Sequence, residues 1–184
     1  DRPHDVDGLG LYGTTFFHDG WATPLIGRFA FLLPLGIRLG IGRKNMAMES
    51  PPYGIKDERI RNRIVSAMLA GDSQAGGLAG FPWPSLAEFQ SLSLHVRNRI
   101  GRLRAPSVIV HSSDDDIASL RNVRIVERGS RGPVETVLLD ESYHMVTVDS
   151  QRGELIERSA DFFSRIAEAR PVREPGPAIA AAIE

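Results

Sequence analysis

Two short apolar runs, each opening into a loop dense with reactive side chains, constrain this chain more than any other feature. Ser107-Val108-Ile109-Val110-His111 follows Pro106 and leads into Ser112-Ser113-Asp114-Asp115-Asp116. Val134-Glu135-Thr136-Val137-Leu138-Leu139 leads into Asp140-Glu141-Ser142-Tyr143-His144. Runs of this length, bounded by turn residues and rich in Val and Ile, read as strands of a parallel sheet covered on both faces. A helix is expected between them over 120–127, then a turn over 129–133. A long helix is expected over 150–169, with Leu155, Ile156, Phe162, Phe163 and Ile166 facing inward. Strand–loop–helix repeated twice implies parallel strands joined by right-handed crossovers. Ligands of such sheets sit beyond the carboxyl ends of the strands. An acidic cluster and a histidine therefore fall on neighbouring strand-end loops, the acid first.

The chain before these runs has a different character. Residues 6–12 alternate loosely between apolar and small and read as one more buried strand. From Trp21 to about Arg104 no convincing strand is legible. Residues 29–39 read as short helical turns around Pro34. An amphipathic helix is expected over 56–69, with Ile60, Ile64, Val65, Met68 and Leu69 on one face and Asp57 near its N-cap. Residues 71–84, rich in Gly, Pro and Ser, read as loop. A second helix is expected over 85–103, with Ser85 and Glu88 as a capping box and Leu86, Phe89, Leu92, Val96, Ile100 and Leu103 as its stripe. The segment 170–184, with Pro171, Pro175 and Pro177, reads as a disordered tail.

Composition removes several function classes. The net charge of −1 over 184 residues offers no footprint for nucleic acid. With no cysteine, disulfides, thiolate metal sites and a cysteine nucleophile are excluded; the usage fits a cytoplasmic protein without fixing the compartment. The polar start, Asp1-Arg2-Pro3-His4-Asp5, makes no signal peptide. Residues 24–41 are the most apolar stretch, but Gly27, Arg28, Pro34, Gly36, Arg38 and Gly40 interrupt it too often for a membrane span.

The loop residues resemble those of the α/β-hydrolase superfamily, in its carboxylesterase and monoacylglycerol-lipase branch. The run His111-Ser-Ser-Asp-Asp115-Asp-Ile117 is similar to the acid loop, His-Gly-x-x-Asp followed by apolar residues, with Ser112 in place of the Gly. The run Ser142-Tyr143-His144-Met-Val-Thr147-Val-Asp149 is similar to the histidine loop. Leu9-Gly-Leu-Tyr12 followed by Phe16-Phe17-His18-Asp19-Gly20-Trp21 looks like the strand after the nucleophile helix and the approach to the cap. The resemblance covers about 6–167. It implies the C-terminal part of an α/β-hydrolase fold, parallel strands with helices, carrying a helical cap insertion. The expected divisions are 1–20 for the core strand, 21–104 for the cap, 105–169 for the C-terminal core and 170–184 for the tail.

What the resemblance implies for chemistry follows residue by residue. Asp115 is the expected catalytic acid, Asp114 the alternative register, and the rest of the Asp triplet reads as a solvated turn. His144 is the expected base, and His111 a structural residue of its strand. His18, His95 and His4 have no partners legible in sequence, and His18-Asp19 alone is too small a ligand set for a metal. No cofactor or metal is implied. Phe29, Phe31, Leu32, Leu33 and Leu35 either line an acyl pocket or pack within the cap.

The family's G-x-S-x-G elbow belongs before the strand over 6–12, so the nucleophile and oxyanion loop are expected upstream, in a missing N-terminal half of the fold, with the first strand left as an open edge. Gly71-Asp72-Ser73-Gln74-Ala75 imitates an elbow. The segment before it has a helical rather than a strand period, no strand separates it from the acid loop, and a Gly-rich stretch follows it, so Ser73 reads as cap loop. The expected partner is a small ester or lipid-like substrate. Two alternatives stay open: a non-catalytic interaction module of the same ancestry, and an α/β-hydrolase of other chemistry, such as a peptidase or C–C hydrolase.

Overall fold

A computed structural model of the protein describes residues 6–169. The expected disordered tail over 170–184 and His4 lie outside the described residues. Three strands form a parallel sheet: β1 (Leu9–Tyr12), β4 (Ser107–Ser112) and β5 (Val134–Leu139), in the order β1-β4-β5. Register runs Leu9 opposite Ser107 and Ser107 opposite Val134, so the three strands end at one edge. Between β1 and β4 lie β2 (Met46–Met48), β3 (Gly80–Pro82), four α-helices, α1 (Leu33–Arg38), α2 (Glu58–Leu69), α3 (Ser73–Gly76) and α4 (Trp83–Arg97), and two 3-10 helices over Leu25–Leu32 and Ile100–Arg102. Helices α5 (Arg121–Gly129) and α6 (Arg152–Glu168) complete the described fold.

All six residues of β4 are buried, because the strand is central and both of its faces are covered. Val108 and Val110 face one layer with Val137, Leu139, Val146, Leu155 and Phe162, and Ile166 of α6 packs against them. Ile109 faces the other, with Phe16 and with Val123 and Val126 of α5. The period of two along β4 thus divides the core between the two helices. Asn122 ties the chain after β1 onto α5: its Oδ1 accepts from the Phe16 and Phe17 amides at 2.8 Å each, and its Nδ2 donates to Ser119 O at 3.0 Å. On its side away from β4, β1 has no neighbouring strand among the described residues.

Several expectations need correction. The region after Trp21 does contain strands: β2 and β3 pair antiparallel, Met46 opposite Pro82 and Met48 opposite Gly80. Three-residue strands leave too short a pattern to read by periodicity, and Gly80 and Pro82 read as loop. The helix expected over 85–103 begins at Trp83 behind Pro82 and ends at Arg97, so Ser85 lies inside its first turn and caps nothing. Its predicted stripe is only partly inward: Ala87 is buried, while Leu92 and Val96 are exposed. Leu69, Ile156 and Phe163, expected on inward faces, are also exposed. The N-cap at Asp57 is as expected, its carboxylate accepting from Arg59 N at 2.8 Å and Ile60 N at 3.0 Å.

Candidate active site

The chain leaves all three parallel strands at the same sheet edge, and the site forms there. The loop after β4 turns immediately: Ser112 Oγ donates to Ser142 O at 2.5 Å and accepts from Asp114 N at 3.0 Å. Ser112, which stands where the resembled family has Gly, thereby joins the two strand-end loops. The turn places Asp115 in the interior. Its Oδ1 accepts from the Ile117 and Ala118 amides at 2.8 and 2.6 Å, and its Oδ2 lies 2.8 Å from His144 Nδ1.

A carboxylate only accepts, so in the neutral imidazole Nδ1 of His144 carries the proton and Nε2 keeps its lone pair. That nitrogen faces Thr15 Oγ1 at 3.4 Å, and the Thr15 hydroxyl itself donates to Gly13 O at 3.0 Å. The arrangement is an oriented base: one nitrogen held by a buried acid, the other open to a proton donor. His111 sits behind it, fully buried in β4, with Nε2 2.8 Å from Ala118 O and 3.3 Å from Asp115 Oδ2. Burial pushes the His111 ring below its ordinary value, against the Ala118 carbonyl and the Asp115 charge, and so favours the neutral form.

The Asp triplet divides in a way that sequence does not reveal. Asp114 is exposed, as a solvated turn residue would be, but Asp116 is buried together with Asp115. Its two oxygens accept from His144 N at 3.2 Å and Gly54 N at 3.0 Å. Burial pushes the Asp116 carboxyl up, the two amides counter it in part, and the neighbouring Asp115 adds to the rise. Asp149 is a second such carboxylate. It accepts from Lys56 N at 2.7 Å, Tyr143 N at 2.8 Å, Ser150 N at 2.9 Å and Asp57 N at 3.0 Å. Burial by itself pushes the Asp149 carboxyl up, but four donors outweigh it and hold the group below the usual range. Two buried carboxyl groups thus fasten the segment 54–57 to the histidine loop.

His144 opens onto a cavity of about 950 Å³. Its walls are mostly apolar, with Ile64, Val65 and Met68 from α2 and Leu86 and Phe89 from α4. Phe29, Phe31, Leu32, Leu33 and Leu35 do not line it. Phe29, Phe31, Leu32 and Leu35 face solvent, so neither expected role, acyl pocket or interior packing, describes them. Two polar groups that the sequence left unassigned do line the cavity. Burial lowers His18, helped by the His144 charge and opposed by Asp19, and its Nδ1 lies 3.3 Å from Gln90 Nε2. Burial raises Glu49, and Asp116 adds to the rise while His144 opposes it. Ser73 is exposed at the start of the four-residue α3, behind Asp72, and Thr15 rather than Ser73 faces the free nitrogen of His144.

A parallel sheet whose adjacent strand-end loops pair a buried aspartate with a histidine is the later part of an α/β-hydrolase fold. No family model matches the chain. Over 85 residues it is 32% identical to the thermostable monoacylglycerol lipase of Bacillus sp. (strain H-257), an alignment covering 46% of this chain and 34% of that protein. The fold matches a soluble variant of monoglyceride lipase from Saccharomyces cerevisiae with a TM-score of 0.67, at 15% identity, over 90% of this chain and 55% of that one. It matches a structure reported for the metagenome-derived lipolytic enzymes LipS and LipT with a TM-score of 0.64, at 16% identity, over 87% and 56%. The monoacylglycerol lipase of Paleococcus ferrophilus gives 0.58, at 16% identity, over 86% and 58%. The chain spans little more than half the length of these solved structures. Its likeness thus runs to the esterase and monoacylglycerol-lipase branch of the α/β-hydrolases. Among the described residues, no helix is long and apolar enough to cross a membrane.

Proposed function

We propose that this chain supplies the catalytic acid and base of a carboxylic-ester hydrolase whose nucleophilic serine and oxyanion hole belong to a segment preceding it. The observation that carries this reading is the 2.8 Å contact between His144 Nδ1 and Asp115 Oδ2, with Nε2 of the same ring 3.4 Å from Thr15 Oγ1 and His144 lining a largely apolar cavity. In the reaction, Nε2 of His144 takes the proton of the serine as it attacks the ester carbonyl. The imidazolium then returns that proton to the departing alcohol, and Asp115 stabilises the charged ring throughout. A water molecule attacks the acyl-enzyme by the same proton route in reverse. Residues 21–104 act as a cap, and the apolar walls from α2 and α4 accept the acyl chain of a small ester or lipid-like substrate. The absence of cysteine fits action in the cytoplasm.

The test compares p-nitrophenyl butyrate hydrolysis by this chain alone and by the longest natural protein that contains it. The chain alone is expected to turn over nothing. In the longer protein, His144→Ala or Asp115→Asn is expected to lower kcat by roughly 10⁴. Turnover by the chain alone that Ser73→Ala abolishes would overturn the reading and make Ser73 the nucleophile.

A further inference from the structure

Asp116 neighbours the candidate acid, and the hydrogen bonds it accepts come from backbone N–H groups. It is 2% exposed, and each of its oxygens accepts from a different segment. One donor is the backbone N–H of His144. The other is the N–H of Gly54, which lies between β2 and α2 in the insertion that forms the cavity. The contact is reinforced in the opposite direction, because Met145 N donates to Gly54 O at 2.8 Å. Gly54 has φ +72°, and a Cβ there would stand 2.9 Å from Met145 Cγ and 3.3 Å from His144 Cβ. The docked position therefore requires glycine on both conformational and steric grounds. The residue before it, Tyr53, holds φ +60°, a costly conformation for an aromatic residue, and it lines the cavity. Such strain persists only where the surroundings fix it, and the Asp116–Gly54 contact lies one residue away.

We propose that Asp116 is a positioning residue that sets the base and the cavity wall together, by holding the backbone of His144 and the Tyr53–Gly54 turn on a single carboxylate. A carboxylate suits this task because both donors need an acceptor and neither oxygen carries a hydrogen. An asparagine isostere would keep one acceptor and turn an NH2 group toward the other N–H. The bridge needs nothing from bulk solvent, and it links two segments distant in sequence. The catalytic half of the proposal rests on the ester-hydrolase reading above, while the bridge itself does not.

Two variants of the longest natural protein containing this chain test it. Asp116→Asn breaks the bridge at the carboxylate, and Gly54→Ala breaks it from the cavity side with the carboxylate intact. With kcat scaled to the folded fraction by near-ultraviolet circular dichroism, both are expected to lower kcat for p-nitrophenyl acetate by about 10- to 100-fold, as sub-ångström to 1 Å misplacement of a catalytic group does. KM for this small ester is expected to stay within about twofold, since the acetyl group needs little of the cavity wall. A purely structural role would reduce the folded fraction and leave kcat per folded molecule within about threefold, and that result would overturn the proposal. Amide hydrogen exchange gives a readout independent of activity. In Asp116→Asn, the His144 and Gly54 amides are expected to exchange at least tenfold faster, while those of Val110 and His111 in the central strand keep their protection. Unchanged exchange at His144 and Gly54 would overturn the bridge whatever the kinetics. A parent protein that hydrolyses no ester would count against the hydrolase reading alone, leaving the exchange rates to decide the bridge.

Discussion

Asp149→Asn is the substitution whose cost follows most directly from the structure. The Asp149 carboxylate is fully buried and accepts four backbone N–H groups, two on each oxygen: Lys56 and Tyr143 on Oδ2, Asp57 and Ser150 on Oδ1. Asparagine matches the shape and keeps one carbonyl oxygen, so one pair survives. The other pair then faces an NH2 group and loses its acceptor. Hydrogen bonds to a charged partner contribute roughly 1.5–3 kcal/mol each. Losing two gives roughly 3–6 kcal/mol, a large share of the 5–15 kcal/mol that typically holds a domain together. For a chain of this size that corresponds to a fall in Tm of roughly 10 °C or more. The assay is urea unfolding followed by circular dichroism at pH 7. The acid side supplies a second reading. The native carboxyl lies below the ordinary range, so its contribution is complete above the unfolded value, about 3.9, and is lost as pH falls through the lower native value. The variant should lack that portion of the acid dependence. A loss below about 1 kcal/mol at pH 7 would show instead that the loop amides find other acceptors at little cost and that Asp149 does not fasten the two segments.

Three further outcomes are expected. Leu139→Ala, at a fully buried position in the layer against α6, should cost about 2–5 kcal/mol in urea unfolding, through lost burial and the cavity left behind. Gly20→Ala should destabilise by several kcal/mol, since a Cβ there would lie 2.3 Å from the backbone of Asp116 and Ile117 and push the acid loop aside; a Tm within about 2 °C of the parent, on the order of 1 kcal/mol, would contradict so close an approach of the two segments. For His111, burial depresses the native value, so the unfolded chain takes up a proton near pH 6.5 while the folded one resists. Stability is therefore complete above about pH 6.5 and declines as pH falls below it. His111→Gln should narrow the difference between urea midpoints at about pH 7.5 and about pH 5, and an unchanged difference would show that His111 is not the group responsible.

The two loops are legible in sequence because their determinants are local. An apolar run of Val and Ile specifies a buried strand, and the residues that follow a parallel strand must emerge at its carboxyl edge. That alone puts Asp115 and His144 on neighbouring loops, and the spacing from His111 in the resembled acid loop selects Asp115 over Asp114. The Asp57 N-cap is legible for the same reason: its partners are two and three residues away. The paired three-residue strands β2 and β3 are not, since their hydrogen-bond partners stand more than thirty residues apart in the chain and neither segment is long enough to show a period. The apolar residues from Phe29 to Leu35 stand out as a group, but burial is a property of the side a segment turns to its neighbours, and Phe29, Phe31, Leu32 and Leu35 stay exposed although the helical turns they belong to pack along α4.

The sequence thus carries the parallel strands, their flanking helices and their order, and it singles out Asp115 and His144 as the candidate acid and base among the strand-end residues. What holds these residues in place comes from contacts between segments far apart in the chain. Asp116 reads as a solvated turn residue, and Asp149 only as part of the resembled histidine loop, until the chain segment 54–57 is brought against 143–144. There, water is excluded and every backbone N–H needs an acceptor, so two buried carboxylates become the fastening of the site. The cavity was decided in the same way. Its apolar walls include residues of α2 and α4, which no local pattern brings to one cavity, and they line it together with His144 because the long excursion between β1 and β4 folds back across the sheet edge.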